Sequence, residues 1–190
     1  MNATTHKQHL LNKLYEPYKK CKGCHFKMPL ATQIVFGEGN PDTKILFIGE
    51  APGREEDLQG KPFVGRSGKL LTRILESAKA PRETIFITNV VKCRPPNNRR
   101  PLPAEIAANK PLLIGQIKII NPQIICTLGS SAFEALIGRP VKITKERGKP
   151  FSWNGITVLP TYHPAYILRN PKELETLVRD INTAINLSFK

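Results

Sequence analysis

Three groups of residues in this 190-residue chain have the types and spacing to act on a flat, hydrogen-bonding molecule. The first occupies residues 49–65, Gly-Glu-Ala-Pro-Gly-Arg-Glu-Glu-Asp-Leu-Gln-Gly-Lys-Pro-Phe-Val-Gly. It offers the carboxylates Glu50, Glu55, Glu56 and Asp57, and one aromatic ring, Phe63, between Pro62 and Val64. The second is Asn89, whose amide both donates and accepts. The third is His163, in the run Tyr162-His-Pro-Ala-Tyr-Ile-Leu-Arg169. A ring that stacks, an amide that reads an edge and an imidazole that donates suit a planar heterocycle. For Glu55 and Asp57 a solvated helix start is the preferred reading, since acids suit the positive end of a helix. The Gly65-Arg-Ser-Gly-Lys-Leu run lacks phosphate-loop spacing and the Ser/Thr that follows its lysine, so that chemistry is rejected.

These groups need elements to hold them. Ile45 to Gly49 reads as a buried parallel strand, and a Gly/Pro-rich loop at the C-terminal end of such a strand is where open α/β sheets place ligands. Thr84 to Val91 is β-branched and apolar, a second strand that delivers Asn89. Ile124 to Leu128 is a third strand, and Thr157 to Leu159 a fourth that delivers His163. Between them, residues 7–20, 68–78, a stretch from Pro103 and 130–138 read as helices, with Pro111 expected to kink or divide the third. Residues 141–156 read as an irregular pair of segments around the turn signal Asn154-Gly155. Asn170, Pro171 and Glu173 form a capping pattern for a last helix that buries Leu174, Leu177, Val178, Ile181, Ala184 and Ile185. Strands alternating with helices give a mostly parallel sheet covered on both faces.

The length fits a single domain over residues 1–190, and 40% hydrophobic residues fit a globular chain. A net charge of +14, from 29 Lys+Arg against 15 Asp+Glu, favours a polyanionic partner, most simply nucleic acid. No basic amphipathic helix marks a membrane surface, no apolar run has membrane-spanning length, and the N-terminus lacks a signal-peptide pattern. The expectation is a cytoplasmic protein with no membrane partner. Four cysteines, Cys21, Cys24, Cys93 and Cys126, then suggest metal or catalysis before disulfides. The basic flanks of the Cys21-Lys-Gly-Cys24 pair favour thiolates, and zinc with His25 is an alternative use of it. Cys126, in mid-strand, reads as a small core hydrophobe.

The runs GEAPGREEDLQGKPFVGRSG (49–68), ITNVVKCRPPNNR (87–99) and YHPAYILRN (162–170) resemble, in order, the three motif regions of family 4 uracil-DNA glycosylases. The resemblance spans about Cys21 to Leu177. It implies an α/β fold, a three-layer αβα sandwich with a central four-stranded parallel sheet. It implies a DNA repair hydrolase that flips uracil out of single- or double-stranded DNA and hydrolyses its N-glycosidic bond, leaving an abasic site, and that works as a monomer. By this resemblance Phe63 is the stacking platform, Asn89 reads uracil O4 and N3–H, and His163 donates to O2. Gly49 and Ala51 line the pocket; Ala51 stands where related families place a water-activating aspartate. Glu50 is the first candidate to place water or steady the sugar cation, followed by Glu56 and Asn98. Tyr166, Ile167 and Leu168 are candidates to wedge into the duplex, and Arg66, Lys69 and Arg169 to meet phosphates. Two other readings stay open: a superfamily member that binds DNA without cutting, and a glycosylase for another deaminated base.

The same resemblance implies a [4Fe–4S] cluster held by four cysteines. Cys21, Cys24 and Cys93 match three of them. The fourth position falls at Asn109. Three outcomes are open: a three-thiolate cluster with a weak or outside fourth ligand, another metal, or no metal.

Overall fold

The computed structural model describes residues 3–20, 26, 28 and 30–188. Four parallel strands form the middle of one sheet: β2 (Ile45–Gly49), β3 (Phe86–Asn89), β4 (Ile124–Leu128) and β6 (Ile156–Thr161). Two short antiparallel strands, β1 (Glu38–Gly39) and β5 (Phe151–Trp153), extend it to six in the order β1-β3-β2-β4-β6-β5. The expected four-stranded parallel sheet is therefore the core of a wider one. β1 gave no signal in the sequence because it is two residues long, with one positive-φ glycine before it, Gly37 at 133°, and another inside it, Gly39 at 121°. β5 pairs with β6 through a turn in which Asn154 and Gly155 both take positive φ, the geometry that matches strand twist in a two-residue hairpin.

The period-2 pattern of the strands sorts their side chains into two layers. Leu46, Ile48, Phe86, Ile125 and Val158 face one side, and pack with Leu11 of α1 (Ala3–Tyr15), Leu112, Leu113, Ile117 and Ile120 of α4 (Pro103–Ile120), and Phe133 of α5 (Ser130–Ile137). Ile45, Phe47, Ile87, Ile124, Cys126 and Leu159 face the other, against Leu71, Ile74 and Leu75 of α3 (Arg66–Ser77) and Leu177, Ile181 and Ala184 of α8 (Leu174–Leu187). This is a three-layer α/β sandwich. The remaining helices are short: α2 (Arg54–Gln59), α6 (Ile143–Glu146) and α7 (Pro164–Ile167). Among the described residues no helix is long and apolar enough to cross a membrane.

Three local expectations are corrected. Pro111 does not divide α4, which runs unbroken for 18 residues; its buried face beyond the proline, from Leu112 to Ile120, holds it against the sheet. Asn170 does not cap the last helix with its side chain. Its amide donates to the Tyr166 carbonyl at 3.1 Å, and a 3₁₀ turn over Pro171–Glu173 leads into α8, leaving Leu174 exposed. Asp57 is not solvated: it is buried and accepts from the backbone N–H of Thr32 at 2.9 Å, so it ties the preceding chain to α2.

The helix order places a crevice. β2 is followed by α3 on one face, β4 by α5 on the other, so the loops after these neighbouring strands part above the sheet's C-terminal edge. Such a point is where parallel sheets bind ligands. Beside it, Asp180 of α8 accepts from Arg147 Nε and from Thr161 Oγ1, each at 2.7 Å, and joins the last helix to the end of β6. Asp180→Ala strands the part-buried guanidinium. It is expected to lower stability by about 3 kcal/mol, measured by urea unfolding.

Candidate functional site

The loop after β2 is shaped by one carboxylate. Glu56, buried in α2, accepts from Gly53 N–H at 3.1 Å with one oxygen, and from Val64 and Gly65 N–H at 2.9 and 2.7 Å with the other. Both ends of the 53–65 segment are thus closed on a single group. Within it Phe63 takes φ +52°, a left-handed backbone that a bulky residue adopts only when its surroundings enforce it. Arg82 supplies that enforcement by donating to the carbonyls of Phe63 at 3.0 Å and Pro62 at 2.7 Å, while itself paired with Glu38. Gly68 leaves room beneath, since any Cβ there would overlap the Phe63 backbone.

Asn89 ends β3 at 1% exposure, and its Oδ1 has no hydrogen-bond partner. A buried carbonyl oxygen without a partner is costly and marks a place where a ligand donor fits. The residue is held through its backbone. Val90 N–H donates to Gly49 O at 2.9 Å and Val91 N–H to Glu50 O at 3.2 Å. The buried Nζ of Lys92 donates to Asn89 O, Thr88 Oγ1 and Gln116 Oε1, at 2.7, 2.6 and 2.6 Å. Burial without a carboxylate partner pushes the pKa of Lys92 well down. Gly49 is where amide and ring converge: a Cβ on it would overlap Asn89 Oδ1 and lie 2.5 Å from Phe63 Cζ.

His163 opens α7. Its Nδ1 accepts from Ala165 N–H at 3.1 Å, so the proton of the neutral ring sits on Nε2. Burial in the cleft wall pushes its pKa down to about 4; the charge of Glu56 opposes that shift and Arg169 adds to it. The imidazole is therefore a neutral donor across the physiological range. Its ring centre lies 5.7 Å from that of Phe63 at 30°.

These residues enclose a cleft of about 420 Å³. The structure brings nine sequence-predicted residues to its wall: Glu50, Ala51, Glu56, Phe63, Asn89, Asn98, His163, Tyr166 and Arg169. Gly49 lies beneath, as described. Glu56 lines the cleft while both of its oxygens accept from backbone N–H groups. Asn98 is exposed at the rim, its Oδ1 taken by Arg94 Nε at 2.7 Å. Ile167 is 3% exposed and packed in the core beside Tyr162, so it is not a wedge; Leu168, next to it, is 38% exposed. Arg66 and Lys69 stand exposed on the first turn of α3, away from the cleft wall.

Cys93 is buried in the layer with α1 and α4, whereas Cys126 is buried on the opposite face of the sheet, where burial pushes its thiol pKa up. Cys21 and Cys24 lie outside the described residues. Asn109 is fully buried in α4 and donates to Glu105 O at 2.8 Å. The sequence reading missed Lys92, although a lysine inside the apolar run Val90-Val91-Lys92-Cys93 was the available signal. It also missed Arg99 on the cleft rim, which is oriented by a two-point pair with Glu105 at 2.8 and 2.6 Å.

The sequence model of the uracil DNA glycosylase superfamily matches residues 36–185. A type-4 uracil-DNA glycosylase of Thermotoga maritima is 49% identical over 182 residues, 94% of this chain and 94% of that protein. One from Saccharolobus solfataricus is 46% identical over 188 residues, 93% of this chain and 87% of that protein. A DNA polymerase of Bacillus phage SP01 is 31% identical over 152 residues, 80% of this chain but 16% of the polymerase.

A histidine with a lowered pKa makes stability depend on acid. Between pH 6.5 and about 4 the unfolded chain binds a proton that the folded one does not, so the His163 contribution is intact above 6.5 and lost as pH falls through that window. His163→Gln should flatten this part of the pH–stability curve, read from urea midpoints between pH 4 and 7.

Proposed function

The chain belongs to the uracil-DNA glycosylase superfamily, and from that premise we propose that it hydrolyses the N-glycosidic bond of uracil in DNA, releasing the base and leaving an abasic site. The observation that carries the reading is the unpartnered Oδ1 of Asn89 beside the Phe63 ring. A uracil extruded from the stack lies against Phe63 and gives its N3–H to Oδ1, while Asn89 Nδ2 donates to O4. Cytosine presents a bare N3 and an amino group at those atoms, so both contacts become repulsive or empty.

Bond cleavage leaves negative charge on uracil O2 and positive charge on the sugar. His163 meets the first with its Nε2–H, a neutral donor already oriented by Ala165. Glu50, on the cleft wall and free of the backbone ties that occupy Glu56, places the water that adds to C1′; the departing uracil anion takes up the proton that balances the step. Leu168 at the surface fills the gap left in the duplex. Arg169 and Arg99 at the rim, with Arg66 and Lys69 on α3, meet phosphates. The net charge of +14 supports this polyanionic partner. The same reading has the chain acting as a monomer, as a single domain over residues 1–190, in the cytoplasm.

The residues do not fit a [4Fe–4S] cluster with four cysteine ligands. In that form each iron takes one cysteine thiolate. Of the four cysteines, Cys126 faces the opposite side of the sheet from Cys93, and the position matching the fourth ligand holds the carboxamide of Asn109. The reaction above uses side chains alone.

Excision is measured as alkali-labile breaks in a uracil-containing oligonucleotide. Asn89→Ala and His163→Ala are each expected to lower the single-turnover rate on the order of a hundredfold to a thousandfold, with near-normal thermal unfolding. Binding without any abasic product in the parent protein, or parent-like rates in both variants, would overturn the assignment.

A further inference from the structure

We infer that Asn109 is a hydrogen-bonding staple and not an iron ligand: it holds the loop that carries Cys93 and Asn89 by the carboxamide that stands in the place of a fourth thiolate. Its side chain is bonded at both ends inside the protein. Oδ1 accepts from Lys92 N–H at 2.8 Å, and Nδ2 donates to Glu105 O at 2.8 Å. Asn109, Lys92 and Cys93 are all fully buried. The backbone N–H of Lys92 has no water to turn to, so an acceptor at position 109 answers a need that exists with or without metal. The amide nitrogen has no lone pair to offer a metal, and the one oxygen is neutral and hard, a poor match for an iron–sulfur corner.

The geometry on α4 supports a holding role. Gln116 lies seven residues beyond Asn109, two helical turns further on the same face. Asn109 takes Lys92 by its backbone N–H, and Gln116 Oε1 takes the same residue by its side-chain Nζ at 2.6 Å. Gln116 is itself anchored by donating to Phe36 O at 2.7 Å. The segment from Asn89 to Cys93 is thus fastened to one helix at two points, and Lys92 hands the constraint on to Asn89 through the carbonyl bond at 2.7 Å. The first turn of the helix is fixed in turn by Glu105, which accepts from Leu102 N–H at 2.7 Å and pairs with Arg99. A four-thiolate cube would fasten this segment by a bond from Cys93 to iron. Here the fastening is made by carboxamides.

The test uses the full chain, purified without oxygen. One portion is reconstituted with ferrous iron and sulfide, and another is stripped with a chelator. Iron and sulfide per chain and the thermal midpoint are measured for the parent protein, Asn109→Ala and Asn109→Cys. The alanine variant should hold as much iron as the parent and melt about 4–8 °C lower. That deficit should persist undiminished in the stripped proteins. The cysteine variant should gain iron, sulfide and visible absorption over the parent on reconstitution. Loss of iron in the alanine variant, or a deficit that vanishes once metal is stripped, would show that Asn109 acts through the metal and would overturn the proposal. If the alanine variant does not fold, the parent and the cysteine variant decide: a parent iron content well above zero and equal to the cysteine variant's would mean that asparagine already fills the corner, and a parent without iron would show that it does not. None of these readings depends on excision, so they stand or fall apart from the assigned activity.

Discussion

The cleft is organised around a backbone position that has no room for a side chain. At Gly49, the last residue of β2, the amide oxygen of Asn89 and the ring of Phe63 come within the volume that a methyl group would fill. Each of those groups is brought there against its own preference. Phe63 sits in a left-handed backbone and Asn89 keeps a buried carbonyl oxygen without a donor. Both conditions cost stability, on the order of 1–3 kcal/mol each. They persist because Glu56, Arg82, Lys92 and Gln116 overdetermine their surroundings with buried and half-buried hydrogen bonds. Strain concentrated at one place and rigidity spread around it is the arrangement expected of a recognition site.

Much of this was legible in the sequence. Apolar runs located all four parallel strands, because buried strands need side chains facing both layers. The loops at their ends line one cleft, since they all leave the same edge of the sheet. Asn154-Gly155 announced a hairpin turn through its conformational preference. What failed was decided by tertiary packing. Pro111 lies in a continuous helix because the residues after it are buried against the sheet. Ile167 is core while its neighbour Leu168 is surface, a distinction that depends on how the short helix α7 lands on the sandwich and not on residue type. That Glu56 closes its own loop by three backbone hydrogen bonds was not visible in residue type either.

The metal question shows the same division. A sequence gives the spacing of thiols but not the side of the sheet on which each one falls. Cys126 and Cys93 lie in different layers, so counting four cysteines overstates what can meet at one point. Position 109 reads as a missing ligand in one dimension and as a satisfied carboxamide in three.

The hydrogen bonds from Val90 and Val91 to the carbonyls of Gly49 and Glu50 lock the first two loops together before any substrate arrives. A receptacle that is finished in advance has little left to contribute by rearranging. On the proposed activity, the work of opening falls on the nucleic acid, which must unstack and unpair to deliver its nucleotide. Weakly held nucleotides, in mispairs, frayed ends or unpaired strands, reach such a receptacle more often than those in a sound duplex. Selectivity for damage is then set partly by the mechanics of the helix being searched, ahead of any contact with the base.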